Sequence, residues 1–221
     1  MSSKEKAVYE KMQAALNEIN ESYFSEGSTV TMESFIDSRQ EKCDAFAEIL
    51  VCSGLTNVSK VFMQSVLCLV DSQDRWNFFN FIRKVDSPTK DALADGLLFS
   101  YNTSWQDDIY ETKQIFKETG RDNLLRAEFE YDKDAKKFYD SLPARVTIYR
   151  GTCVEETENR RYGISWTTDL KTAEFFAYRF GKEGRCILKA EVLKKDIMAI
   201  MTSRNESEVI VLNPRLIEKI A

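Results

Sequence analysis

The stretch ARVTIYRG, residues 144–151, marks the point where the sequence changes from helical to extended patterning. Val146 and Ile148 alternate with more polar residues, which is the spacing of a strand with one buried face. Further extended runs follow: RYGISWTT (161–168), RCILKAEVL (185–193), DIMAIM (196–201) and SEVIVLN (207–213). One helix is predicted among them, DLKTAEFFAYRFG (169–181), with Asp169 as its N-cap and Gly181 at its end. From Ala144 onward, the sequence therefore predicts a mainly antiparallel sheet with one intervening helix.

Residues 1–143 carry helical periodicity instead. Gly54 and Gly120 stand where helices are expected to stop, and Ser87 followed by Pro88 is expected to start one. The predicted helices are KAVYEKMQAALNEI (6–19), MESFIDSRQEKCDAFAEILVCSG (32–54), VSKVFMQSVLCLV (58–70), RWNFFNFIRKV (75–85), SPTKDALADGLLFSY (87–101) and WQDDIYETKQIFKETG (105–120). The sequence thus predicts an α+β protein with a helical region at 1–143 and a β-sheet core at 144–221.

Composition and charge limit the class of protein. The chain has 221 residues, 43% of them hydrophobic, which fits a compact globular protein. It contains no run of about 20 apolar residues, and its start, MSSKEKAVYEKM, lacks the apolar core of a secretion signal. The five cysteines are scattered without a CxxC pair, which suits a reducing compartment. We therefore expect a cytoplasmic protein that does not associate with a membrane.

The chain contains no histidine, which excludes several kinds of catalysis. Triads of serine or cysteine with histidine, most catalytic zinc sites and imidazole general bases are not available. Neither a GxxxxGK[ST] loop nor a GxGxxG turn is present, so the two common glycine-rich phosphate-binding motifs are absent. Carboxylates, Arg, Lys, Tyr, Ser or Cys must carry any chemistry, and no metal is expected.

The last 78 residues contain three short motifs, one after another. They are IYRG (148–151), SWTT (165–168) with EFFA five residues later, and ESEVIVLNP (206–214). This arrangement resembles the arginine, serine, glutamate class of mono-ADP-ribosyltransferases, of bacterial or phage type. That family has an arginine on an early strand, a Ser-x-Ser/Thr strand before a short helix, and a Glu/Gln-x-Glu pair entering an apolar strand. The central strand departs from the usual Ser-Thr-Ser, because Trp166 lies in the middle and Thr167 replaces the second serine.

The resemblance implies that NAD is the co-substrate and assigns roles to individual residues. Glu208, Glu206 and Ser165 are the expected catalytic residues. Glu206 would hold the acceptor, and Ser165 would fix Glu208 by a hydrogen bond. The expected NAD-binding residues are Arg150, Gly151, Thr167, Arg179 and Phe176. Arg185 is a weaker candidate for the second phosphate, and Tyr149, Trp166 and Phe175 are candidate aromatic walls.

The chemistry of NAD cleavage explains these residue types independently. Breaking the N-glycosidic bond leaves positive charge on the ribose, so a carboxylate such as Glu208 stabilises the transition state most. A pyrophosphate is recognised best by a planar, permanently charged fork such as that of Arg150. Gly151 lets backbone atoms approach the nicotinamide amide. In an extended segment, Glu206 and Glu208 would point to the same face and Ser207 to the other.

Several alternatives stay open at this stage. The acceptor could be a protein arginine or a nucleic acid, since Arg160, Arg161 and Arg204 add positive charge. An NAD glycohydrolase would use the same residues with water as acceptor, and a non-catalytic binding module could keep the fold. Taken singly, the twin glutamates fit a solvated strand edge, and Arg150 and Ser165 fit ordinary strand positions.

The division of charge adds an expectation about partners. Residues 1–143 contain 17 Lys and Arg against 25 Asp and Glu, whereas residues 144–221 contain 14 against 11. The acidic helical region is expected to bind a target or a neutralising antitoxin protein. By the habit of the resembled family, an NAD-consuming enzyme of this kind suits a toxin of a toxin–antitoxin system, a phage or a phage-defence system.

Overall fold

The computed structural model describes residues 1–25, 29–104, 106, 108–202 and 206–220. The chain divides into two compact units, Met1–Gln106 and Asp107–Ala221. The boundary predicted from composition, between residues 143 and 144, marks the start of the strands rather than the division between units. Three helices before the first strand belong to the same unit as the sheet, and two of them, Arg121–Tyr131 and Lys133–Ser141, pack on it, as the shared apolar cluster of Leu125, Ala135 and Ile148 shows.

The first unit contains five helices among its described residues. These are α1 (Ser3–Phe24), α2 (Met32–Ser53), α3 (Lys60–Leu69), α4 (Arg75–Val85) and α5 (Lys90–Thr103). Fully buried Met12, Phe46, Phe62, Phe79 and Leu97 form their common core. Side chains of Ser2, Thr31, Ser59 and Thr89 cap four of the helix starts, because each accepts a backbone hydrogen bond from the first turn.

The predicted helix ends agree with the structure at some positions and differ at others. Gly54 ends α2 in the left-handed conformation, with φ of 55°. The expected N-cap at Ser87 is wrong, since α5 begins at Lys90 and Thr89 caps it. Ser87 instead has a φ of 44°, and its carbonyl oxygen accepts a hydrogen bond from the backbone N–H of Asn57.

Three helices precede the sheet in the second unit: α6 (Ile109–Thr119), α7 (Arg121–Tyr131) and α8 (Lys133–Ser141). The last two were not predicted. Gly120 ends α6 and caps α7, while Asp132 ends α7 and caps α8. Within the strand region the prediction of one intervening helix is incomplete. A short α9 (Val154–Glu158) and a 3₁₀ turn (Lys194–Asp196) accompany the predicted helix, α10 (Leu170–Tyr178).

The predicted antiparallel sheet is confirmed and has six strands. They are β1 (Arg145–Cys153), β2 (Ser165–Thr167), β3 (Arg185–Leu193), β4 (Ala199–Met201), β5 (Glu208–Ile210) and β6 (Arg215–Lys219), in the spatial order β4-β5-β2-β1-β3-β6. Every neighbouring pair is antiparallel. The last strand was not predicted, because its residues are mostly exposed and show no apolar alternation.

The sheet consists of two halves that meet at one position. β1 pairs with β3 along its whole length, from Arg145 to Cys153, whereas it pairs with β2 only through Tyr149 and Thr167. One half is therefore β4-β5-β2 and the other is β1-β3-β6. The predicted motif segments lie on the two strands that join these halves and on the neighbouring β5.

The two faces of the sheet have different coverings. The core face carries Ile148, Trp166, Leu188 and Val209, all buried and packed with residues of α7 and α8. The opposite face, here called the α10 face, carries Ile187 and Tyr149, which pack against Ala173 and Ala177 of α10. Among the described residues, none of the helices has the length and apolar character needed to cross a membrane.

Candidate active site

A row of three residues crosses the strands that carry the motifs. Tyr149 of β1 lies opposite Thr167 of β2, and Thr167 lies opposite Glu208 of β5. Directly opposed residues in antiparallel strands share a face, so all three belong to the α10 face. Glu208 is half-buried, and it is the first residue of β5. The first, second and third motifs are thus adjacent in space.

The hydroxyl group of Thr167 joins two of the motifs directly. It donates a hydrogen bond of 2.7 Å to the backbone carbonyl oxygen of Glu206 and accepts one of 3.1 Å from the backbone N–H of Asp169. The backbone N–H of Thr168 also donates to the carbonyl oxygen of Ser207, at 3.2 Å. Thr167 is 6% exposed. Its hydroxyl therefore holds residues 206–208, here called the glutamate segment, and does not face solvent. The NAD-binding role predicted for Thr167 would need an exposed hydroxyl.

The sequence predicted that Glu206 and Glu208 lie on one extended strand, but they do not. Ser207 has a φ of 48°, in the left-handed region, and β5 begins only at Glu208. The alternation of faces therefore does not reach Glu206, which is half-buried like Glu208. Most of the segment TSRN (202–205), including Arg204, lies outside the described residues.

Ser165 lies on the same face as Thr167 but is displaced from Glu208. It pairs with Ile210, two residues along β5 from Glu208. Within the described part of the chain, the Ser165 hydroxyl makes no hydrogen bond, so the predicted bond to Glu208 is not formed in this structure. Its backbone carbonyl oxygen accepts a hydrogen bond of 2.7 Å from Nη1 of Arg150.

Arg150 lies one residue beyond Tyr149, so its side chain starts from the core face. Its Nε and Nη2 atoms donate to Oε2 and Oε1 of Glu156 at 3.0 and 2.9 Å. The two side chains are only 22% and 13% exposed. This bidentate ion pair means that the charge of the predicted phosphate-binding arginine is already balanced by a neighbouring carboxylate.

Glu156 is a functional candidate that the sequence reasoning missed. Besides Arg150, its carboxylate accepts hydrogen bonds from the Thr152 hydroxyl and, at 2.6 Å, from the backbone N–H of Gly163. Burial disfavours the charged carboxylate, but the charge of Arg150 and these hydrogen bonds outweigh burial and lower the pKa of Glu156. Nothing in the sequence VEETE distinguishes Glu156 from Glu155 or Glu158.

Glycines allow two close approaches around this site. A Cβ atom on Gly163 would lie 2.2 Å from Nη2 of Arg150, so the guanidinium group needs a glycine there. A Cβ atom on Gly151 would lie 2.2 Å from the carbonyl oxygen of Ala173 and 2.4 Å from the backbone nitrogen of Ala177. α10 therefore occupies the space beside Gly151 where nicotinamide was predicted to bind.

The remaining predicted residues lie on and after α10 or in the core. Arg179 is exposed, and its guanidinium carbon lies 4.8 Å from the ring centres of both Phe176 and Phe180. Phe175 is 61% exposed, whereas Trp166 is buried on the core face. Among the described residues, neither Arg179 nor Phe176 contacts Arg150 or the glutamate segment. Arg185 is exposed at the start of β3.

Comparisons with known proteins do not assign the site. No protein-family model matches the chain, and neither a curated protein nor a solved structure matches it. The described residues contain no group of three or more potential metal ligands.

Proposed function

We propose that the chain is a mono-ADP-ribosyltransferase that cleaves NAD and transfers ADP-ribose to a macromolecular acceptor. One observation carries the proposal: Tyr149, Thr167 and Glu208 lie side by side on three adjacent strands. The three motifs are far apart in sequence, and each alone has an ordinary structural explanation. Because residues of the three motifs lie opposite one another on adjacent strands, one shared site is favoured over three unrelated strand positions.

The proposed first step breaks the bond between the ribose carbon C1′ and the nicotinamide nitrogen. The bonding electron pair leaves with nicotinamide, which departs neutral because its ring nitrogen was cationic in NAD. Positive charge develops on the ribose, and the carboxylate of Glu208 stabilises it. The half-buried position of Glu208 strengthens this effect, because the charges interact through less water.

In the proposed second step the acceptor attacks C1′. The nucleophilic atom of the acceptor forms the new bond, and its proton must pass to a base. Glu206 is the proposed base and acceptor-binding residue. The hydrogen bond from Thr167 to the Glu206 carbonyl oxygen keeps this glutamate beside β5 and therefore near Glu208. If water attacks instead, the same residues give NAD hydrolysis.

The charge of the whole second unit does not favour a nucleic acid as the acceptor. The predicted core at 144–221 carries an excess of Lys and Arg, but the compact unit also includes 107–143. Residues 107–221 contain 21 Lys and Arg and 21 Asp and Glu, so their net charge is zero. Long-range attraction to a polyanion is therefore weaker than the strand region alone suggests.

The test is incubation of the purified chain with whole lysate and NAD labelled in its adenylate phosphate. Label in the protein fraction, or in the RNA or DNA fraction, would identify the class of acceptor. Label found only in free ADP-ribose would show that the chain hydrolyses NAD and does not transfer ADP-ribose to a macromolecule. Intact NAD after prolonged incubation would contradict the proposal and favour a non-catalytic binding module.

A further inference from the structure

The outer side of α10 carries exposed aromatic side chains around a cation. Ala173 and Ala177 are buried against the sheet, whereas Phe175, two residues from each, is 61% exposed. Phe180, just after the helix, is 79% exposed. Arg179 follows Phe175 by four residues, so the two are neighbours on the helix surface. These rings therefore face solvent on the side of α10 that points away from the sheet.

The rings and the guanidinium group form one continuous row. The rings of Phe175 and Phe176 meet edge to face, with their centres 5.5 Å apart. The guanidinium carbon of Arg179 lies 4.8 Å from the ring centre of Phe176 and 4.8 Å from that of Phe180. Phe175, Phe176, Arg179 and Phe180 are here called the aromatic patch. Its contacts show that the four residues share one surface.

The cations of the aromatic patch have no anionic partner within the described part of the chain. Neither Arg179 nor Lys182 forms an ion pair or a side-chain hydrogen bond there. Nζ of Lys182 lies 5.6 Å from the ring centre of Tyr178, the residue before Arg179. A cation that rests against an aromatic ring keeps its charge and can still bind a phosphate group. The patch therefore combines aromatic surface with available positive charge.

The exposure of this patch is unlike that of the other aromatic run in the chain. In α4, Trp76, Phe78 and Phe79 are all buried. Exposed clusters of large apolar side chains mark binding surfaces. An apolar protein surface is a poor partner here, because covering Arg179 with apolar side chains would bury its charge without a counterion. A nucleic acid suits both parts of the patch, since its bases stack on aromatic rings and its phosphates pair with cations.

We propose that the aromatic patch binds single-stranded nucleic acid. Bases stack on the exposed rings, and Arg179 and Lys182 bind the neighbouring phosphates. A single strand is required because the faces of bases in a duplex are covered by neighbouring base pairs. This binding does not depend on the function proposed above, and it does not make the nucleic acid the acceptor of ADP-ribose.

The charge of the region fits a local and short-range interaction. Residues 170–185 contain four Lys and Arg against two Asp and Glu, although the whole second unit has no net charge. Each phosphate contact to a single strand changes the slope of log K against log salt concentration by about −0.7. Two contacts, from Arg179 and Lys182, therefore predict a slope of about −1.4.

The test measures binding of a fluorescent oligothymidylate of about twelve nucleotides to the purified full-length chain by fluorescence anisotropy. Phe180→Leu keeps apolar bulk but removes the ring, and should weaken binding about fivefold to tenfold. Phe180→Trp should retain the wild-type affinity, because it keeps a stacking surface. Tyr131→Leu is the matched control, since Tyr131 is 82% exposed at the end of α7, outside the patch, and should bind like wild type.

A second pair of variants tests the charge. Arg179→Gln should weaken binding about tenfold, because it removes a charge-assisted phosphate contact. Lys133→Gln is its control, since Lys133 is exposed at the start of α8, which packs on the core face of the sheet, and should leave the affinity unchanged. An abasic oligonucleotide of equal length has the same phosphates without bases, and the wild-type chain should bind it about tenfold more weakly.

Three results would overturn the proposal: no binding of the oligothymidylate to wild type, equal affinity for the abasic strand, or an unchanged affinity in Phe180→Leu. A salt slope steeper than about −4 would also overturn it, because a more extended basic surface would then be responsible. Release of nicotinamide from NAD is a separate measurement. Its failure would reject the proposed transferase and leave the result for the aromatic patch as it stands.

A measurement on the wild-type chain guards against variants that fail to fold. An oligonucleotide that contains 5-iodouracil is irradiated in complex with the protein, and the crosslinked tryptic peptides are identified by mass spectrometry. Crosslinks should lie between residues 172 and 182, which include the aromatic patch, and not in the peptide 127–133, which contains the equally exposed Tyr131. Crosslinks confined to other peptides would overturn the proposal.

Discussion

The side-chain hydroxyl of Thr167 donates a 2.7 Å hydrogen bond to the backbone carbonyl oxygen of Glu206. This bond connects β2 to the segment that leads into β5, and a second one, from the N–H of Asp169, connects the same hydroxyl to the start of α10. One buried hydroxyl group therefore positions Glu206 and the helix that covers Gly151. The departure from the expected Ser-Thr-Ser strand lies next to this point, at Trp166, whose side chain enters the core.

Thr167→Val tests the importance of that hydroxyl. Valine has the same shape but leaves the Glu206 carbonyl and the Asp169 N–H without their partner. We expect the free energy of unfolding to fall by about 1–3 kcal/mol, measured by denaturant titration. Thr167→Ser keeps the hydroxyl and should lose less than half as much. Equal stability of the valine variant and the wild type would show that these hydrogen bonds do not contribute to the free energy of unfolding.

Glu156→Gln should destabilise the second unit, because it leaves the guanidinium group of Arg150 without its carboxylate. The expected loss is about 2–4 kcal/mol, by chemical denaturation at neutral pH. The folded-state pKa of Glu156 is lowered, so this stabilisation is present above its ordinary value of 4.5 and is lost as the pH falls through the folded-state pKa. The difference between variant and wild type should therefore shrink in acid. Glu155→Gln, at an exposed neighbour, is the control and should have little effect at any pH.

Asp86→Asn should remove a pH dependence from the stability of the first unit. Asp86 is 1% exposed, and neither carboxylate oxygen has a hydrogen-bond partner among the described residues. Burial raises its pKa from 3.8 to about 6. The folded state therefore holds this proton more tightly than the unfolded state, and stability falls as the pH rises from about 4 to about 6. The loss is on the order of 3 kcal/mol, from the size of the shift.

Thermal and chemical unfolding of wild type and Asp86→Asn between pH 4 and 8 would measure this effect. The variant should be nearly independent of pH in that window, apart from changes shared with the wild type. Asp37→Asn, at an exposed position on α2, should behave like the wild type. Parallel pH profiles for wild type and Asp86→Asn would contradict the prediction.

Glu206→Gln should separate transfer from NAD cleavage. The variant loses the proposed base and acceptor contact, but Glu208 remains to stabilise the ribosyl cation. We expect labelled macromolecule to disappear while release of nicotinamide persists, with water as acceptor. Both quantities are measured in one reaction with doubly labelled NAD. A parallel fall in both would mean that Glu206 acts in cleavage, and no change in either would make it a solvated residue at a strand edge.

The sequence predicted the elements whose residues alternate over a long range. β1, β3 and the start of α10 at Asp169 are present where expected, whereas α10 ends at Tyr178, before the predicted stop at Gly181. α8 has an apolar stripe of Ala135, Phe138 and Tyr139 that packs on the core, but the helix is only nine residues long and rich in charged residues, so its pattern was too short to be assigned. β6 escaped because its residues are mostly exposed at the edge of the sheet.

For the candidate site, the sequence predicted which residues belong to the motifs but not which residues contact one another. The register that places Glu208 opposite Thr167 depends on pairing between strands about forty residues apart, which local patterns do not encode. Three similar glutamates lie in VEETE, and only folding selects Glu156 for Arg150.

The most direct test of the central claim is the release of nicotinamide from NAD by wild type and Glu208→Gln, in the presence of lysate as acceptor. The substitution keeps the shape of the side chain and removes the charge proposed to stabilise the ribosyl cation. We predict that wild type releases nicotinamide, that Glu208→Gln is slower by roughly two to three orders of magnitude at unchanged melting temperature, and that Glu174→Gln, at an exposed position on α10, matches wild type. Equal rates for Glu208→Gln and wild type, or no release by the wild type, would contradict it.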